Sequence, residues 1–173
     1  MTGGAPPDAV HPDAAHPDAV LRPTVRVLLL DGADRLLLFQ GFSGSGEPFW
    51  FPAGGAVEPG ETPDEAAVRE LTEETGWERP LLGPHVGDRR HVVGWDGTLW
   101  DVRERWYLAR VDTLDVDTSG YTAAEVAADQ QWRWWTSAEL AASSERLVPA
   151  DLAGLVASIL RDGPPPVPLT LGI

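Results

Sequence analysis

Residues 55–77 read GAVEPGETPDEAAVRELTEETGW, a tight glycine-bearing loop that runs straight into a short helix with a start and a stop of its own. Thr62 is a good N-cap, Pro63 suits the first helical position, and Glu65 completes a capping box with Thr62. Gly76 supplies a left-handed stop, so the spacing predicts a helix over 63–75. At about 100° per residue, Ala67, Val68, Leu71 and Thr75 share the face that buries against a sheet. Glu70, Glu73 and Glu74 fall within about 100° of arc on the neighbouring face. Three carboxylates that close repel one another, and a divalent cation relieves this better than water does. A solvated Glu-rich face is the plainer alternative, and these three residues alone do not exclude it.

The flanking segments set the architecture. TVRVLLL and RLLLFQ read as strands joined by a turn at Asp31-Gly32-Ala33-Asp34. A loop, GFSGSGEP, and a short strand at 49–51 lead into the glycine-rich segment. RRHVVGW and TLWDVRERWYLARV flank Asp96-Gly97, a strong hairpin signal. Residues 121–130 are ambiguous, 132–135 read as a strand, and 137–142 and 150–161 as helices. The mixture predicts an α+β fold with a mixed, largely antiparallel sheet flanked by helices. The division expected is a disordered tail over 1–23, one domain over 24–162 and an irregular proline-rich tail over 163–173. In the first tail HPDA occurs twice; a linker reading competes there with a ligand role for His11 and His16.

Charge and composition narrow the partners. The 173 residues carry 27 Asp plus Glu against 13 Lys plus Arg, a formal net charge of −14. Such a chain has no overall attraction for nucleic acid or an anionic membrane, so neither is expected as a partner. A polyanionic ligand would need metal ions and a local basic patch. There is no cysteine, which excludes disulfides and thiolate zinc sites. No secretory signal and no apolar run near the ~20 residues of a membrane span are evident, so a cytoplasmic protein is expected.

Fixed spacing turns the glutamates into more than a helix face. Gly55, Glu61, Arg69-Glu70, Glu73, Glu74 and Gly76 resemble the signature of the Nudix hydrolases, G-x5-E-x7-R-E-U-x-E-E-x-G-U with U bulky and aliphatic. Leu71 fills the first U, and Trp77 fills the second as a mild departure. The resemblance implies the family's α/β/α sandwich from about Thr24 to Arg161. It also implies Mg²⁺- or Mn²⁺-dependent attack of water on the pyrophosphate of a nucleoside diphosphate linked to another group. Matched position by position, Glu70, Glu73, Glu74 and the Gly54 carbonyl are metal ligands, and Glu61 with Arg69 braces the loop against the helix. A small nucleotide or nucleoside diphosphate derivative is the expected substrate, and a homodimer is a family-based expectation. The competing reading is a Nudix-fold domain that senses a nucleotide without cleaving it.

Outside the box the residues leave alternatives open. Strict alternation puts Glu104 beside Trp100, Val102 and Trp106, where it either meets substrate or metal, or pairs with Arg103 or Arg105, or lies at an exposed edge. Glu125 lies where some relatives supply a further carboxylate, and Glu58 is either solvated or near the metal. Members of the family that the chain resembles differ in whether the general base is a glutamate of the box or one from a later segment, such as Glu104 or Glu125. Arg89, Arg90 and His91 offer charge and donors for phosphate or ribose, or pair at the surface. Trp95 and Trp100 flank the hairpin turn and present indoles on which a nucleobase could stack, while Trp50, Trp106, Trp132, Trp134 and Trp135 read as core. No substrate-specifying motif is evident; Val93, for example, stands where many ADP-ribose hydrolases of the family carry proline.

Overall fold

The computed structural model describes residues 17–95, 97–117, 119 and 131–172. His11, His16, Asp96 and Glu125 lie outside them, as does segment 121–130. Among the described residues seven strands and three helices follow one another: β1 (Val20–Leu30), β2 (Leu36–Phe42), β3 (Pro48–Phe51), α1 (Pro63–Thr75), β4 (Leu82–Trp95), β5 (Thr98–Arg110), β6 (Trp132–Trp135), α2 (Ser137–Ala142), α3 (Leu152–Asp162) and β7 (Leu169–Thr170). They build one mixed sheet in the order β3-β2-β1-β5-β4-β7, with β6 also on β2. β1 runs parallel to β5 and β7 to β4, while the remaining pairs are antiparallel.

Alternation along β1 divides the core in two. Val25, Val27 and Leu29 face Ala66, Ala67 and Leu71 of α1, with Tyr107 and Ala109 from β5. Leu28 and Leu30 face the other way, joining Trp106 and Leu108 under Leu152, Leu155, Val156 and Ile159 of α3. Helices on both sides of a mixed sheet make this a three-layer α+β sandwich. Nearer its start, the α3-side face of β1 carries Arg22, Thr24 and Arg26 in place of aliphatic residues.

α1 has the predicted ends. Thr62 accepts from the Glu65 N–H, the Glu65 carboxylate accepts from the Thr62 N–H, and Gly76 closes the helix at φ 70°. Such a cap contributes about 1 kcal/mol. Its buried face is rotated from the expected one, because Ala66 and Glu74 are buried while Val68 is only half-buried. The Tyr107 hydroxyl donates to Asp64, tying the first turn to β5. Among the described residues no helix is long and apolar enough to cross a membrane.

Several boundaries differ from the sequence expectation. β1 begins at Val20, because Val20 to Pro23 pair with β5 from Trp100 to Arg103. β4 begins at Leu82, with irregular register at Leu82/His85 and His85/Gly87 absorbing the Gly and Pro that hide a strand pattern. The proline-rich tail is not wholly irregular: Leu169 and Thr170 pair with Gly87 and Asp88, and Leu171 is buried. Trp50, Trp106 and Trp135 are core residues, but Trp132 is exposed and Trp134 half-buried, since β6 is short and pairs only with β2.

Candidate active site

The loop preceding α1 runs antiparallel along the first half of β1. The Val25 N–H donates to the Gly55 carbonyl at 2.9 Å and the Val27 N–H to Ala53 at 2.8 Å. This close approach demands glycine. Gly54 has φ 136°, and a Cβ there would stand 2.1 Å from the Val25 carbonyl oxygen. A Cβ on Gly55 would stand 2.3 Å from Glu70 Oε1. Gly54→Ala should therefore destabilise the fold by about 2 kcal/mol or more, read as a lowered urea midpoint.

The box carboxylates occupy distinct environments around this loop. Glu74 is buried, and its Oε2 accepts from the Gly54 N–H at 2.7 Å. Glu70 Oε1 and Glu73 Oε2 both accept from Arg69 Nη1, at 2.8 and 3.2 Å, so a single cationic nitrogen reaches both. Burial raises the Glu70 carboxyl above its ordinary range against the opposing pull of Arg69. Arg69 also makes a two-point pair with Glu61, at 2.9 and 3.0 Å, and donates to the Ala56 carbonyl. These contacts clamp the loop to the helix. Glu58 is exposed and offers its N–H to Glu61.

Among the described residues no group of three His, Cys, Asp or Glu side chains is drawn together as a metal cluster. Glu70 and Glu73 converge on Arg69, and Glu74 turns to the loop backbone. The Gly54 carbonyl accepts from Arg26 Nη1 at 2.9 Å. The donor set is nevertheless all oxygen, three carboxylates and a carbonyl lying along one loop and one helix, which fits Mg²⁺ or Mn²⁺ in kind.

Glu104 is fully buried, and its partners are not those expected. Arg89 Nη1 donates to Oε2 at 3.1 Å, Trp106 Nε1 to the same oxygen at 3.0 Å, and Arg26 Nε to Oε1 at 3.5 Å. Arg103 and Arg105 point to the opposite face, since alternate residues of a strand do. Burial alone would raise the Glu104 carboxyl, but the attraction of Arg26 and Arg89 outweighs it and holds the group below its ordinary value. Arg89, expected to meet substrate, is itself buried and also donates to the Gly172 carbonyl at 2.9 Å. Arg90 makes a two-point pair with Asp101 at 2.7 and 3.1 Å. The Arg22 guanidinium lies over Trp95 and Trp100, so one face of each indole expected to meet a nucleobase meets a cation instead.

His91 shares the Arg89–Glu104 face, and its buried Nδ1 has no hydrogen-bond partner. Burial lowers its pKa from 6.5 to about 4, with Glu104 pulling up and Arg89 and Arg26 pushing down. The unfolded chain takes the proton near pH 6.5 and the folded one resists until about 4. Stability is then complete above 6.5 and declines as pH falls through that window, by about 3 kcal/mol. Urea midpoints between pH 7 and 4.5 should show a smaller decline for His91→Phe than for the wild type.

Arg22 and Arg26 went unnoticed in the sequence. The available signal was a cation at alternate positions of an otherwise apolar strand, where burial demands a partner.

Known proteins resemble the chain in sequence and in fold. A NUDIX domain profile matches residues 20–155. An RNA pyrophosphohydrolase from Roseobacter denitrificans is 34% identical over 139 residues, which span 74% of this chain and 82% of that protein. Among solved structures, a Nudix hydrolase from Nitrosomonas europaea superposes with a TM-score of 0.62, 20% identity and coverage of 84% and 93% of the two chains. A MutT protein from Methanosarcina mazei gives a TM-score of 0.61, 20% identity and coverage of 84% and 96%. These two structures speak for the fold, and the profile and the sequence relative for the family. The chain belongs to the Nudix hydrolases.

Proposed function

We propose that this chain is a metal-dependent hydrolase that cleaves a phosphoanhydride in a nucleotide-derived substrate. The Gly54 carbonyl, Glu70, Glu73 and Glu74 hold the Mg²⁺ or Mn²⁺. The observation that carries this reading is the loop–helix contact: Glu74 fastens the Gly54 N–H while Glu70 lies against Gly55 and shares one cationic nitrogen with Glu73. A divalent cation held there would mask phosphate charge and acidify an attacking water. The protein's share is to fix the oxygens. Arg69 and Glu61 hold the loop to the helix, Glu74 fixes the Gly54 N–H, and Arg26, steadied by Glu104, touches the Gly54 carbonyl at the start of the next peptide. In this reading Glu104 is a scaffold group, and proton removal falls to a carboxylate of the box.

A second reading concerns the group attached to the phosphates. Relatives named RNA pyrophosphohydrolase reopen 5′-phosphorylated RNA as a substrate, although a net charge of −14 offers little to a long strand. The test is phosphate release from nucleoside triphosphates, ADP-ribose, sugar nucleotides, dinucleoside polyphosphates and a 5′-triphosphorylated oligoribonucleotide. Each is assayed with Mg²⁺, Mn²⁺ or chelator. Cation-dependent turnover of at least one is expected, and preference for the oligoribonucleotide would select the RNA reading. Turnover of none, with nucleotide binding seen by calorimetry, would select the non-catalytic sensor.

A further inference from the structure

Strand register gathers an unassigned cationic patch beside the box. Arg22 of β1, Val102 of β5 and His91 of β4 stand in one row across the sheet, as do Thr24, Glu104 and Arg89 in the next. Arg26 follows on the same face of β1. Arg26 and Arg89 both pair with Glu104, and Arg69 pairs with the box carboxylates. Arg22 differs. Among the described residues its side chain has no ion-pair or hydrogen-bond partner. Its guanidinium is half-buried, 5.3 Å from the ring centroid of Trp95 and 5.2 Å from that of Trp100.

We propose that Arg22 is an anchor for a phosphate of the substrate, held over the indoles of Trp95 and Trp100 on the face of β1 that also carries Arg26. The inference rests on the phosphoanhydride reading above, and names the group that grips the oligophosphate. A guanidinium stacked on aromatic faces keeps its N–H edge available, and that edge matches two phosphate oxygens at once. Burial costs Arg22 hydration, and Arg26 on the same strand face repels it; both effects weaken its protonated form, while Glu70 opposes them. An oligophosphate relieves both costs. Trp100 Nε1 is likewise buried without a partner in this region, a second donor lacking an acceptor. Trp95 and Trp100 are then positioning residues for Arg22 rather than platforms for a base.

Calorimetric titration tests this with inorganic tripolyphosphate and, separately, adenosine, both with Mg²⁺ present. The proteins are wild type, Arg22→Gln, Arg22→Lys and Trp100→Phe, with urea unfolding as a check on folding. Arg22→Gln should weaken tripolyphosphate binding about tenfold or more and leave adenosine binding unchanged. Arg22→Lys should lose a few-fold, because an ammonium keeps the charge without the planar fork, and Trp100→Phe should fall between. Tripolyphosphate binding within twofold of wild type in Arg22→Gln overturns the proposal, as does no binding to the wild type. Equal losses for adenosine and tripolyphosphate overturn it too, by putting a base over the indoles. Should Arg22→Gln not fold, unchanged affinity in Arg22→Lys overturns it. Arg22-dependent binding in a chain that hydrolyses nothing supports the anchor while rejecting the hydrolase. An unchanged KM for Arg22→Gln in an active hydrolase rejects the anchor alone.

Discussion

Glu74→Gln is expected to lower cation-dependent turnover by about 10²-fold or more while leaving the fold in place. The buried Gln oxygen can still accept from the Gly54 N–H that now reaches Glu74 at 2.7 Å, so the loop keeps this anchor while the charge is lost. Glu73→Gln should behave alike in turnover for a different structural reason. Its side chain is 53% exposed, and its bond to Arg69 is a surface ion pair worth about 0–1 kcal/mol. Steady-state rates in Mg²⁺, set against urea midpoints for the same variants, separate chemistry from stability. Retention of more than about a tenth of the wild-type rate by both variants would count against the assigned roles.

Glu104→Gln carries the largest expected cost in stability, about 3–5 kcal/mol. Arg89 is enclosed to the same degree as Glu104, and without the carboxylate it keeps, among the described residues, the Gly172 carbonyl against its charge. Trp106 Nε1 and Arg26 Nε depend on the same carboxylate. Arg26 in turn touches the Gly54 and Pro52 carbonyls, so the loss should reach the catalytic loop and reduce turnover as well. Equilibrium urea unfolding is the measurement. A change under about 1 kcal/mol would mean that Arg89 finds another counter-charge.

Local signals made α1 legible. Its cap, its proline, its terminal glycine and its apolar spacing are all written within fifteen residues, and each points to the same helix. The antiparallel pairing of β4 with β5, Trp95 against Thr98, was legible for the same reason. What escaped was set by distant partners. Val20 to Pro23 are strand because β5 lies beside them, and Leu169 and Thr170 because β4 offers an edge at Gly87 and Asp88. The spacing of the box likewise identified its glutamates, whereas the partners of Glu104 depend on register across three strands. Alternation placed Glu104 on the right face but could not show that Arg26 and Arg89 arrive there from neighbouring strands. The same register lays Arg22 over two tryptophans that sequence alone offered to a nucleobase.

Anomalous scattering from a crystal of the wild-type chain grown with Mn²⁺ and a non-hydrolysable nucleotide addresses the central assignment most directly. The account predicts a manganese peak within coordination distance of the Gly54 carbonyl and of carboxylate oxygens from Glu70, Glu73 and Glu74. A peak elsewhere, or nucleotide bound with no manganese at this loop, would contradict it.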